Sequence, residues 1–155
     1  MSEINNHSNP MLPLIITFAD KLNSFARTTL NKELDFYGLK FNQWRLIHAI
    51  SSKSIFTPAK LADELMIERA TVSRYLDQLE VKGCINRSHN QMDRRVVDIK
   101  LTSKGEEVAQ LGVDLMHETY KNMLADLNAA ENKHFSSLIK KLTENIPASK
   151  ESIPA

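Results

Sequence analysis

The chain contains few of the residues that mark several classes of protein. Its 155 residues include one cysteine, Cys84, so no intrachain disulfide can form and a reducing cytoplasm is the expected compartment. Four glycines and five prolines are too few for a collagen-like or glycine-loop-rich architecture. Uninterrupted apolar runs are only a few residues long, far short of the ~20 residues that span a bilayer. The sequence therefore predicts a cytoplasmic protein without a membrane partner.

Signals for secretion, catalysis and metal binding are also missing. Residues 1–10 lack the basic and apolar regions of a signal peptide. We find no Ser/His/Asp pattern, nucleophile elbow, phosphate loop or carboxylate pair in a short motif, so no enzymatic activity is expected. His48, His89, His117 and His134 are scattered along the chain, and we expect neither a metal site nor a cofactor.

What is present fits one folded domain over residues 1–155, because 42% of the residues are hydrophobic and 25% are charged. The net charge of +1 is unevenly distributed. Residues 69–104 carry eight basic and four acidic side chains, whereas residues 105–155 carry five and eight. Such a basic segment attracts polyanions, although charge alone favours an ordinary solvated face of mixed charge.

Apolar residues at three- and four-residue steps predict six helices. The first, from Leu12 to Leu34, is too long to be covered easily by its own domain, which suggests a partner chain. The second runs from about residue 42 to 51, a third starts at Thr57-Pro58, and a fourth covers about 69–81. A long fifth helix opens at Thr102 or Ser103 and carries apolar residues as far as Leu127. The last opens at Asn128 and should bury Phe135, Leu138, Ile139 and Leu142.

The apolar period changes from 3.6 to 2 between the fourth and fifth helices. Val97, Ile99 and Leu101 alternate with polar residues and predict a strand, which would pair with residues 84–87 across a polar tip. Ile55-Phe56 is long enough only for a strand stub. The predicted fold is mainly α with a two- to three-stranded antiparallel β wing, a winged helix-turn-helix with long flanking helices.

The fourth helix has one face suited to the DNA major groove. On a helical wheel, Val72, Leu76 and Leu79 lie opposite a small, hydroxylic and cationic face. Arginine can pair with guanine, and serine or threonine can reach bases or phosphates. An ordinary amphipathic surface helix is the alternative. The candidate DNA contacts here are Arg69, Ala70, Thr71, Ser73, Arg74 and Asp77.

The hairpin tip, residues 88–95, is cationic and follows this helix directly. Arg94 and Arg95 lie where a wing would meet a minor groove, and narrow A·T-rich grooves attract arginine. Arg87 adds a further basic candidate. Asp93 would brace one of these arginines through a forked ion pair. A solubilising turn is the alternative.

These runs resemble the MarR (multiple-antibiotic-resistance regulator) family. Residues 41–47 (FNQWRLI) resemble the start of the family's second helix. Residues 70–74 (ATVSR) and 79–83 (LEVKG) resemble its recognition helix and the exit from that helix. The runs DRR at 93–95 and LTSKG at 101–105 resemble its wing. The resemblance covers roughly residues 12–146. The sequence departs from the family pattern at three positions. Lys40 replaces a common capping residue, so Asn42 would cap the second helix instead, and Glu68 is a weak N-cap for the fourth helix. Cys84 replaces an aliphatic residue, and a buried apolar role is expected for it.

The resemblance implies a homodimeric, sequence-specific transcriptional regulator that binds double-stranded DNA at a pseudo-palindromic operator. Residues 38–104 would bind DNA, residues 11–37 and 105–146 would dimerise, and residues 147–155 would form a disordered tail. Repression relieved by a small aromatic or amphipathic effector is the family's common mode. By analogy, the effector cleft would involve Phe18, Leu22, Trp44, His48 and Met116, which are otherwise plain core residues. A winged-helix module that binds protein rather than DNA remains the alternative function.

Overall fold

We describe the chain from a computed structural model, in which the described residues are 11–53, 57–90, 93 and 97–146. They form six α-helices, a short 3-10 turn (Asp35–Tyr37) and a two-stranded antiparallel sheet. The helices are α1 (Met11–Leu34), α2 (Phe41–Lys53), α3 (Pro58–Leu65), α4 (Arg69–Val81), α5 (Ser103–Met123) and α6 (Ala129–Glu144), and the strands are β1 (Ile85–His89) and β2 (Val97–Leu101).

This architecture confirms the predicted mainly helical fold with an antiparallel wing. The predicted strand stub at 55–56, part of the hairpin tip (91–92 and 94–96) and the predicted tail at 147–155 lie outside the described residues. Within the described ranges, none of the helices is long and apolar enough to cross a membrane.

Side-chain caps from the residue directly before the helix begin α3, α5 and α6. The Thr57 hydroxyl accepts a hydrogen bond from the Lys60 N–H at the start of α3. At α6, the Asn128 side chain accepts from the Glu131 N–H at 3.0 Å while the Glu131 carboxylate accepts from the Asn128 N–H at 2.8 Å. This reciprocal pair is the predicted capping box. Of the two candidate caps for α5, Thr102 is the one used, since its hydroxyl accepts from the Gly105 N–H at 3.1 Å.

Two local predictions are wrong. The start of α2 is not capped by Asn42, because the helix already begins at Phe41, whose N–H donates to Oδ1 of Asn31 at 2.8 Å. The cap therefore comes from α1. At the other end of the chain, α5 stops at Met123, and residues 124–127 form the turn into α6 rather than continuing the helix.

The hairpin register decides which wing residues face the protein. Ile85 pairs with Leu101, Arg87 with Ile99 and His89 with Val97. Because side chains alternate across a strand, Arg87 lies on the same face of β1 as the buried Ile85. The wing thus directs one arginine inward.

One buried cluster joins the second half of α1, the helices α2 to α4, the hairpin and α5. Leu46, Leu61, Leu76, Ile99 and Val108 are all fully buried in it. Cys84 is fully buried too, as predicted, and burial raises the pKa of its thiol. At Gly112 the indole of Trp44 packs directly on the α5 backbone, and an added Cβ would collide with the ring.

The first half of α1 and the whole of α6 lie outside this cluster. The prediction that α6 buries its apolar residues is wrong for the chain taken by itself, since Leu138, Ile139 and Leu142 remain 41–51% exposed. Phe135 is half-buried because its ring meets that of Phe18 edge-on, with centroids 6.3 Å apart. These two helices present a wide apolar surface that the described chain does not cover.

Candidate nucleic-acid interface and adjoining cleft

The two faces of α4 are separated as the wheel predicts. Val72, Leu76 and Leu79 are buried against the core. The opposite face is exposed and consists of small, hydroxylic and charged side chains. Its residues are Arg69, Ala70, Ser73, Arg74 and Asp77, with Thr71 half-buried beside them. A face of this kind can enter a groove closely because no bulky apolar side chain obstructs it.

A tight turn joins α3 to α4. Met66 adopts a left-handed conformation (φ 53°), and its N–H donates to carbonyl oxygens of α3. The next N–H, of Ile67, donates to the Ala62 carbonyl at 3.0 Å. On the α2 side, Nη2 of Arg45 donates to the Leu65 carbonyl at 3.1 Å. The end of α3 is therefore held by its own turn and by α2.

A buried amide ties α2 to α4. Gln43 is 4% exposed, and its Nε2 donates to Oε1 of Gln78 on α4 at 2.6 Å. Its Oε1 accepts from the Lys40 N–H at 3.0 Å and from the Lys82 ammonium at 3.4 Å. Sequence reasoning missed this residue, although a glutamine within the apolar pattern of α2 was the available signal. The network fixes the C-terminal half of α4.

Arg87 and Asp77, both predicted to contact DNA, contact each other. Nη2 of Arg87 lies 2.5 Å from Oδ1 of Asp77, and its Nε donates to Glu80 at 2.9 Å. These carboxylates raise the pKa of the Arg87 guanidinium. The inward register of β1 makes the contact geometrically available. The ion pairs fasten β1 to α4 and compensate the negative charge of Asp77 and Glu80 on the exposed face of α4.

The described part of the wing tip is held by hydrogen bonds of the Asn90 side chain. The backbone N–H of Asp93 donates to Oδ1 of Asn90 at 3.2 Å, and Asn90 donates to Asp98 at 2.8 Å. Arg94 and Arg95 lie outside the described residues. Their insertion into a minor groove and their bracing by Asp93 therefore stay predictions.

The five candidate ligand residues line two separate hollows. Trp44, His48 and Met116 line a cleft of about 480 Å³ between α1, α2 and α5. Phe18 and Leu22 instead line a hollow of about 420 Å³ between α1 and the end of α5. The sequence could not assign these residues to two hollows, because all five lie on apolar helix faces. The two hollows are separate only because of how the helices cross in the folded chain.

The cleft between α1, α2 and α5 is largely aromatic. The rings of Phe41 and Trp44 are stacked with centroids 6.2 Å apart, and His48 lies 5.0 Å from Trp44. Nε1 of Trp44 is buried without an acceptor among the described residues. Arg45 supplies a positive charge to the lining, and burial raises the pKa of the Tyr120 hydroxyl nearby. Flat apolar molecules with a polar edge suit such walls.

No group of three or more histidine, cysteine, aspartate or glutamate side chains in the described ranges is arranged to hold a metal ion.

Two helices in a tight turn followed by an antiparallel hairpin define a winged helix-turn-helix protein. The MarR family model matches residues 39–97. The multiple antibiotic resistance protein MarR of Escherichia coli strain K12 is 31% identical over 102 residues, which span 63% of this chain and 71% of that protein. The chain belongs to the MarR family of transcriptional regulators.

Solved structures agree with this assignment. A cysteine-to-serine mutant of Escherichia coli MarR complexed with operator DNA superposes with a TM-score of 0.69 at 26% identity, covering 86% of this chain and 96% of that one. A MarR/EmrR family transcriptional regulator from Acinetobacter sp. ADP1 gives a TM-score of 0.69 at 30% identity, covering 85% and 91%. The similarity extends beyond the winged-helix part into the flanking helices.

Proposed function

We propose that the protein is a homodimeric, sequence-specific DNA-binding repressor that a small ligand releases from a pseudo-palindromic operator. The observation that carries this proposal is the exposed, small and cationic face of α4, which includes Arg69 and Arg74. In this proposal α4 lies in the major groove and the wing, residues 88–95, reaches the minor groove. The structure of an Escherichia coli MarR mutant complexed with operator DNA supports DNA binding by this fold.

The dimer would use the flanking helices, residues 11–37 and 105–146, and leave residues 38–104 to bind DNA. Support comes from the apolar surface of α1 and α6, where Leu14 is 67% and Leu142 is 51% exposed. A two-fold pair that buries this surface would present two recognition helices about one DNA turn, roughly 34–36 Å, apart.

Ligand release would use the aromatic cleft between α1, α2 and α5. Its walls belong both to the proposed dimerisation part, through α1 and α5, and to the DNA-binding part, through α2 and α3. A small aromatic or amphipathic molecule bound there would change how the two parts pack. An aromatic lining with one cation supports an effector of that class.

The dependence of affinity on salt tests DNA binding against the alternative of a protein-interaction module. On random duplex DNA, the logarithm of affinity should fall steeply with the logarithm of salt concentration, with a slope near −5 if about six phosphates are neutralised. Sites selected from a random oligonucleotide pool should then bind more tightly than random DNA. A flat salt response would contradict the proposal and favour the interaction module.

A further inference from the structure

The helix α4 has different neighbours on its two flanks. On one flank, Arg87 of β1 forms its ion pairs with the helix. On a wheel of about 100° per residue, Gln78 lies on the other side of Arg74, toward α2. A hollow of about 290 Å³ opens on that second flank, between α1, the start of α2 and α4. Its polar lining includes Arg27, Asn42 and Gln78.

The buried amide of Gln43 decides which way the amide of Gln78 points. Oε1 of Gln43 accepts from the Lys40 N–H and from the Lys82 ammonium, and neither of these groups can act as an acceptor. Nε2 of Gln43 must therefore meet an acceptor, and it donates to Oε1 of Gln78 at 2.6 Å. The side-chain N–H groups of Gln78 have no partner among the described residues, and this side chain is exposed. The fold thus presents oriented donors beside the recognition face.

Arg27 adds a positive charge to the same hollow. Its guanidinium lies over the Phe41 ring, 5.9 Å from the centroid, and no carboxylate of the described ranges forms an ion pair with it. Lys40, the other cation of the lining, is already paired with Asp35. The ring contact holds the Arg27 guanidinium without engaging its N–H donors. An available guanidinium beside oriented amide donors suits a phosphate group, whose oxygens accept several hydrogen bonds.

We propose that Arg27 and Gln78 bind a phosphate of the DNA backbone on the flank of α4 opposite to the wing. The proposal rests on the proposed function and extends the DNA-binding surface from residues 38–104 to α1. The major groove is walled by the phosphate backbones of both strands, so a helix lying in it has phosphates on each flank. The wing serves one flank, and the hollow at Arg27 serves the other. Because phosphate contacts carry no sequence information, this pair of residues sets the position of α4 rather than its base preference.

Removal of one charge tests the role of Arg27. On random duplex DNA, Arg27→Gln should weaken binding several-fold and lower the magnitude of the salt slope by about 1, because one phosphate fewer is neutralised. Operator and random DNA should lose affinity by the same factor. Lys121→Gln removes an equal charge from the last turn of α5, outside the hollow, and should leave the slope unchanged. An unchanged slope in Arg27→Gln, or a changed ratio of operator to random affinity, would overturn the proposal.

A nearly isosteric substitution tests the donors of Gln78. In Gln78→Glu the side chain can still accept the hydrogen bond from Nε2 of Gln43, so the thermal midpoint should change little. A carboxylate oxygen replaces the outward donor and repels the phosphate, so affinity for random duplex should fall about tenfold. Wild-type affinity in this variant would contradict the contact.

Substituted DNA locates the phosphate. A series of operator duplexes would carry one uncharged methylphosphonate linkage at each backbone position in turn. At the contacted position, the substitution should cost the wild type several-fold in affinity but cost Arg27→Gln and Gln78→Glu less than about twofold, because these variants have already lost the contact. If every linkage affects the variants as it affects the wild type, the contact is refuted.

The same titrations distinguish this inference from the proposed function. If the wild type binds duplex DNA with a steep salt slope and both variants behave like it, the DNA-binding regulator stands and the phosphate contact alone is refuted. If the wild type binds no duplex even at low salt, the proposed function fails and the contact fails with it.

Discussion

The winged-helix part and the flanking helices differ in how they complete their cores. In α2 to β2, large apolar side chains such as Leu61, Leu76 and Ile99 are fully buried by residues of the same chain. In the first half of α1 and in α6, Leu14 and Leu142 stay more than half exposed. Extended apolar surfaces of this kind mark interfaces. The winged part thus has a closed core, whereas the first half of α1 and α6 leave apolar surface that the described residues do not cover.

The largest expected effect comes from placing positive charges on the exposed apolar surface of α6. Leu138→Lys with Leu142→Lys should prevent the proposed dimer, because two ammonium groups cannot be buried without partners. Loss of the paired half-sites should weaken operator binding at least 100-fold, about 3 kcal/mol. Analytical ultracentrifugation would measure the loss of the dimer, and fluorescence anisotropy of labelled operator DNA would measure the loss of affinity. Ser137→Lys, on the polar side of α6, is the matched control. A double variant that stays dimeric would show that α6 is not the interface.

Truncation of one leucine in each region should sharpen the contrast. Leu76→Ala should lower the free energy of unfolding by about 2–5 kcal/mol at any protein concentration, since it leaves a cavity in a closed core. Leu14→Ala should act mainly through association, so its effect should grow as the protein is diluted toward the dimer dissociation constant. Chemical denaturation at several concentrations would separate the two. If unfolding of both variants depends on protein concentration in the same way, the winged part and the first half of α1 do not differ as described.

Within the winged-helix part, substitutions on the exposed face of α4 should change the sequence preference for DNA more than the stability of the fold. Arg74→Ala should cost about 1–3 kcal/mol of operator affinity and relax sequence preference if Arg74 pairs with a base. The thermal midpoint should change little, because the side chain is exposed. Competition between operator and random duplex would measure the preference. An unchanged ratio would exclude Arg74 from base reading.

The smallest expected effect concerns the ion pairs of Arg87 with Asp77 and Glu80, which join β1 to α4. Arg87→Gln should weaken operator binding about tenfold, because it frees the wing and exposes the carboxylates of Asp77 and Glu80 to DNA phosphates. Adding Asp77→Asn should recover part of the loss if Arg87 acts by neutralising that carboxylate. If Arg87 touches DNA directly instead, the second substitution brings no recovery in a fluorescence anisotropy titration.

The elements that follow from the sequence are those with local signals. Thr57-Pro58 and the Asn128–Glu131 pair start helices through contacts within four residues, and both are found as predicted. Gly38, a residue type that commonly ends helices, closes the 3-10 turn after α1 with a left-handed backbone. Period-2 alternation was sufficient to place β2. Each of these depends on neighbours in the chain, so no knowledge of the tertiary structure was needed.

The features that escaped prediction depend on contacts distant in sequence. Asn31 caps α2 from ten residues earlier, and Gln43 meets Gln78 across 35 residues. DNA contact by Arg87 stays a prediction, whereas its ion pairs with Asp77 and Glu80 escaped prediction because its inward direction depends on the hairpin register. The apolar faces of α6 were correctly recognised, but whether the chain buries them is a property of packing that periodicity does not contain.

Trp44 has a practical consequence because it is the only tryptophan in the sequence. Its indole rests on the backbone of Gly112 and lies 5.0 Å from His48. The emission of an indole changes with the polarity and the quenching groups around it. The protein therefore carries an intrinsic fluorophore in the cleft wall, and its spectrum reports occupancy of that space without a dye.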